Sequence, residues 1–191
     1  MGNRGDRTEW MRHIGDLLER AAGSTGQSPL VSVEIGVAMG EASAYFLRRF
    51  PVLRHVMVDP WRFMPEYMKW LGLRSNKMLS TQAAWDAVYE AAVRATDFAA
   101  DRRMILRMKS LDAAPTIADR SVCLIFIDGE HTFEAVTADC GAWWPKVAPG
   151  GILAGDDWCI ARVSRAARAW AASAGLQTTL VGKVWHVEKL K

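Results

Sequence analysis

The chain has 191 residues, 50% of them apolar and 24% charged, with a formal charge of +3. That is the size of a single domain with its own core, and the balance of a globular chain rather than a disordered or collagenous one. The mild, scattered basicity points away from nucleic acid, no apolar run approaches the roughly 20 residues that span a bilayer, and three cysteines without CxxC spacing argue against structural zinc or a disulfide framework.

The N-terminal stretch lacks the apolar centre of a signal peptide, which gives the expectation of a cytoplasmic protein. Met11, Ile14, Leu17, Leu18 and Ala21 recur at helical spacing, so residues 1–28 read as an amphipathic helix followed by a Gly/Ser/Pro loop. Leu30–Ile35 is almost unbroken in its apolarity, as in a central parallel strand covered on both faces. A glycine loop, Gly36–Gly40, leads to a helix over Glu41–Arg49, then a strand at Val56–Val58 with Asp59 at its tip and Pro60 turning the chain out of the sheet. Residues 61–80 crowd Trp61, Phe63, Tyr67 and Trp70 together, as in a lid, or equally in a loop packed on the sheet edge. A helix capped by Ser80 or Thr81 follows, then strands at Met104–Met108 and Val122–Ile127, a helix over about Thr132–Val147, and a strand at Ile152–Gly155. A helix over about Ile160–Ala174 presents Arg162, Arg165 and Arg168 as a solvated face, and the last residues alternate across Gly182-Lys183 as a hairpin does. The whole is one domain over residues 1–191: an α/β three-layer sandwich with a Rossmann-like, mostly parallel sheet, its first strand near the middle, and a C-terminal antiparallel pair.

Chemistry concentrates at strand ends, where ligands of open α/β sheets lie. Gly36 and Gly40 allow a tight strand-to-helix turn and close approach of a ligand to the backbone, in a GxxxG spacing that is neither a dinucleotide fingerprint nor a P-loop. Glu34 closes the first strand, and Asp59, 25 residues on, is placed to accept hydrogen bonds from vicinal ribose hydroxyls. Ser110 and Asp112 follow the third strand, at the edge an adenine would occupy, although Asp112 equally suits a turn or helix cap. Asp128 ends the fourth strand, Asp156 and Asp157 end the fifth, and His131 lies in the loop between. If those strands are neighbours, three carboxylates meet where a substrate would react.

ExGxxxG after the first strand, an acid after the second and IDGEHTFEAVTAD…WWPKVAPGGILAGDDW together resemble the class I S-adenosylmethionine-dependent methyltransferases. Within them the similarity is greatest to the metal-dependent small-molecule O-methyltransferases of the macrocin and mycinamicin type, with the catechol O-methyltransferases further off. The resemblance covers about Val31 to Trp158 and implies seven strands, a methyl donor and a divalent cation. Carried over by position, it implies Asp128, Asp156 and Asp157 as metal ligands, suited by their hard oxygens to Mg²⁺. It implies Glu34, Gly36, Gly40, Ser43, Asp59, Ser110 and Asp128 as the donor-binding set. Where the family often has a hydroxyl to hold the donor's carboxylate, this chain has Ala42, with Ser43 beside it. His131 or Asp128 is then the base that takes the proton from a small-molecule hydroxyl. Such an enzyme needs neither nucleic acid nor membrane, and a short chain admits a homo-oligomer in which a second subunit completes the lid. Two other readings stay open: a metal-dependent hydrolase built on the same Asp/His cluster, and a donor-binding protein without turnover.

Overall fold

The computed structural model describes residues 4–64 and 80–191. Its strands are β1 (Leu30–Ile35), β2 (Leu53–Val58), β3 (Arg103–Leu106), β4 (Val122–Ile127), β5 (Val147–Gly155), β6 (Thr179–Val181) and β7 (Val184–Glu188). They form one sheet in the order β3-β2-β1-β4-β5-β7-β6. The first five run parallel, and β7 joins β5 and β6 antiparallel. The sandwich with β1 near its centre is therefore the observed fold.

Helices α1 (Arg4–Thr25) and α2 (Glu41–Arg49) cover one face, and α5 (Phe133–Trp143) and α6 (Ala161–Ser173) the other. The remaining α-helices among the described residues are α3 (Gln82–Ala95) and a single turn, α4 (Ser110–Ala113). The stripe Ile14, Leu17, Leu18 and Ala21 of α1 is buried against Leu30, Phe126 and Ile152. Each large apolar side chain so buried contributes roughly 1.5–3 kcal/mol. That docking also brings Trp10 onto Phe126, ring centroids 5.6 Å apart, beside the strand tips.

Boundaries shift where distant partners outrank local pattern. β2 begins at Leu53 and β3 ends at Leu106. β5 begins at Val147, because its Pro-Gly-Gly stretch is held extended by Gly150 donating to the Lys189 carbonyl and Lys189 donating to that of Gly151. Thr81, rather than Ser80, caps α3 by accepting from the Ala84 amide, and Thr132 does the same for α5. Trp61, the first residue of the expected lid segment, is fully buried against Val37, Met57 and Ala92. Residues 65–79, most of the expected lid, lie outside the described residues. Among the described residues no helix is long and apolar enough to cross a membrane.

Candidate active site

The ladder hydrogen bonds continue one residue past the strands and register the site. Gly36 donates to the Val58 carbonyl (2.9 Å), Asp128 to that of Ile35 (2.8 Å), and Asp156 to that of Ile127 (3.2 Å). The tips of β1, β2, β4 and β5 thus open into one cavity of about 740 Å³. Its β1 floor requires glycine. Gly36 has φ +85°, and a Cβ there would lie 2.2 Å from the Asp128 carbonyl oxygen. A side chain at that point would fill the crevice as well as strain the backbone.

The β1–β2 side is stiffened by its own polar atoms. Asp59 accepts from the amides of Val37 (3.0 Å) and Ala38 (3.1 Å) through one oxygen and from Trp61 (2.7 Å) through the other. Burial pushes its carboxyl up from the ordinary range, and those three amides hold it back. Trp61 has the left-handed φ of +39°, uncommon outside glycine. Asp59 and the Ala38 carbonyl, which accepts from the Trp61 indole at 2.8 Å, hold it there. Glu34 is buried at the cavity wall, where Ser43 and His55 bond its carboxylate, and Ser32 bonds the other nitrogen of His55.

The β4–β5 side is crowded with charge. His131 Nε2 lies 3.4 Å from Asp128 Oδ1 and 3.4 Å from Asp157 Oδ2. One ligand atom from each of these three residues falls within 4.8 Å of the others. Asp156 points the other way, to Lys183 Nζ at 2.7 Å, with Asp157 3.9 Å from the same ammonium. Asp156 Oδ1 is buried and has no hydrogen-bond partner among the described residues. Burial and the neighbouring Asp156 and Asp157 charges push the Asp128 carboxyl up to about 7, against the opposing pull of His131. Burial disfavours charge on His131, but the bond to Asp128 and the surrounding carboxylates outweigh it and raise its pKa. Asp157 itself adopts φ +56°, a conformation that aspartate tolerates better than most residues.

The sequence candidates divide accordingly. Glu34, Gly36, Asp59, Ser110, Asp128, Asp156 and Asp157 line the one cavity. Gly40 shapes the turn with φ +78° and packs on Ala92. Ser43 is fully buried behind Glu34, its hydroxyl turned to that carboxylate rather than toward the cavity. The metal-type grouping is Asp128, Asp157 and His131, not the three aspartates alone. Sequence reasoning passed over four residues that the fold brings in: Trp10 from α1, Lys183 from the β6–β7 turn, Asp139 from α5, and His55 behind Glu34. Asp139 is buried beside Ser110, and burial lifts its carboxyl to about 6. Only Lys183 carried a signal, since a hairpin returning beside β5 must put its turn next to Asp156 and Asp157.

A family model described as a methyltransferase domain matches residues 33–158. Among solved structures, the fold is similar to the O-methyltransferase NovP, at 18% identity over 96% of this chain and 80% of that one, TM-score 0.74. It is also similar to CalS11, a TDP-rhamnose 3′-O-methyltransferase of calicheamicin biosynthesis, at 16% identity over 97% and 80% of the two chains, TM-score 0.62. A methyltransferase from Geobacter sulfurreducens matches at 18% identity over 94% and 79%, TM-score 0.59. At these identities the likeness is one of fold. No curated protein matches the chain in sequence.

Proposed function

This chain belongs to the methyltransferase domain family, and on that premise we propose that it is an S-adenosylmethionine-dependent O-methyltransferase acting on a hydroxyl of a small molecule with the help of a divalent cation. One observation carries the reading: a glycine-floored crevice and a carboxylate–imidazole cluster share a single cavity, joined where Gly36 meets the Asp128 backbone. A hydrolase built on the cluster alone has no use for the β1–β2 half of that cavity.

The residues present fit a divalent cation. Asp128 and Asp157 offer hard oxygens, His131 an imidazole nitrogen, and Asp156 a buried oxygen still short of a partner. A bound cation would stabilise the deprotonated hydroxyl, and the donor supplies an electrophilic methyl group. The work of the protein is then alignment. Gly36 lets the donor lie against the backbone, and Glu34 and Asp59 provide acceptors for its polar groups at the two strand tips. In the transfer an oxygen–carbon bond forms as the carbon–sulfur bond breaks, the electron pair staying on sulfur. The hydroxyl proton passes to whichever of Asp128 and His131, 3.4 Å apart, does not hold the cation.

The test combines calorimetric titration of S-adenosylmethionine with transfer of labelled methyl from it to a panel of phenols, catechols and sugar-nucleotide hydroxyls, with and without Mg²⁺. Saturable donor binding and Mg²⁺-stimulated transfer are expected. Absence of donor binding would overturn the reading, and binding without transfer to any acceptor would put the non-catalytic reading in its place.

A further inference from the structure

Lys183 is the tip of the β6–β7 hairpin, the two-residue turn Gly182-Lys183 closing Val181 against Val184. The tip is wedged in place on both sides. The Lys183 carbonyl accepts from the Trp158 amide at 3.1 Å, and Gly182 lies against His13 of α1, so close that a Cβ would come within 3.0 Å of its ring. From there the ammonium reaches 2.7 Å from Asp156 and 3.9 Å from Asp157, the pair of acids that ends β5. Asp156 is the more buried partner, 5% exposed at its side chain against 32% for Lys183. The indole face of Trp10 lies 5.4 Å from the same ammonium, within the range of a cation–π contact.

We propose that Lys183 is an internal counter-ion of the acidic cluster, competing with a divalent cation for the charge of Asp156 and Asp157, so that the hairpin tip sets metal affinity. This rests on the cation-assisted reading given above. The ammonium is bonded to one Asp156 oxygen, Oδ2, while Oδ1 has no partner among the described residues, so a cation that takes Oδ1 shares the carboxylate with Lys183. Two positive charges on one small cluster repel, and at a partly buried site that repulsion weakens metal binding by at least about tenfold. The same ammonium lies over the Trp10 ring while it is bonded to Asp156, and both residues line the cavity.

The experiment is titration of the metal alone, Mn²⁺, into wild type, Lys183→Met and Lys183→Arg, followed by calorimetry and by the loss of free-ion EPR signal. Lys183→Gln serves in place of the methionine variant if the latter does not fold without metal. Tighter Mn²⁺ binding by roughly tenfold or more in the neutral variants, with the arginine variant near wild type, is the expected result. Equal affinity in all chains, including no binding in any, overturns the proposal. Weaker binding in the neutral variants also overturns it, because Lys183 would then support the site rather than compete for it. Titration of S-adenosylmethionine into the same metal-free proteins keeps the two claims apart: donor binding can persist when the Mn²⁺ result fails, and the converse.

Discussion

The two halves of the cavity solve opposite problems with the same residue type. On the β1–β2 side, Asp59 is held by three backbone amides and Glu34 by Ser43 and His55 on one oxygen, so the chain itself fixes both acids before any ligand arrives. On the β4–β5 side, three aspartates converge on one histidine and one lysine, and Asp156 keeps an oxygen with no partner among the described residues. Buried acids that the chain itself fixes hold a shape, whereas buried acids left short of positive charge store a demand for it. The first half is a mould for a ligand, and the second is a place where charge is handled.

The hardest blow to that contrast would fall at Asp128, which stands on the border. Asp128→Asn is expected to lower the rate of methyl transfer by roughly 10²–10⁴-fold while leaving donor affinity within a few-fold of wild type. Single-turnover rates beside donor calorimetry measure the two separately. An equal loss in both would merge the halves into one.

On the other side, Asp59→Ala tests the mould. Three buried amides lose their acceptor, and at about 1 kcal/mol or more each the destabilisation is expected to reach roughly 3 kcal/mol. Urea unfolding reads that loss, and donor titration reads the accompanying slackening of Val37 and Ala38. A variant as stable as wild type would mean that the loop is held by something other than Asp59.

The contrast itself was only half visible in the sequence. The nearly unbroken apolar run Leu30–Ile35 and the continuous one Val122–Ile127 announced central strands, and the acids at or just beyond their ends announced the site, because a parallel strand fixes what its tip presents. The Thr81 cap and the C-terminal hairpin were equally local in their signals. What stayed hidden depended on partners far away in the chain. Lys189 makes a strand of the Pro-Gly-Gly stretch, 39 residues earlier at Gly150. His55 turns Ser43 and Glu34 toward each other, and the docking of α1 brings Trp10 to the cavity. Tryptophan content suggested both core and pocket walls, yet only the fold separates Trp61, Trp143 and Trp185, which are buried, from Trp10 and Trp85, which line the cavity.

Asp139, in the Ser110 neighbourhood, departs from that contrast: one hydroxyl opposes its burial, where Asp59 has three amides. Burial raises its carboxyl to about 6, Ser110 opposing and Glu130 adding to the rise. The folded chain therefore binds a proton there that the unfolded chain has released, between the ordinary carboxylate range near 4 and about 6. Its contribution to stability is greatest below that window and is lost as pH rises through it, by at most about 3 kcal/mol for a shift of two units. Asp139→Asn removes the titration. The variant is expected to match wild type near pH 4 and to become progressively more stable than it by pH 7, the gain levelling off above about 6. Urea denaturation of both proteins at several pH values gives the difference directly, and other carboxylates cancel from it. If Asp139 also accepts a hydrogen bond from the donor's adenine edge, the same variant binds donor less tightly while being the more stable protein, which is the signature of an acid kept for a ligand rather than for the fold. A stability difference independent of pH would show that Ser110 compensates Asp139 fully, and the departure would disappear.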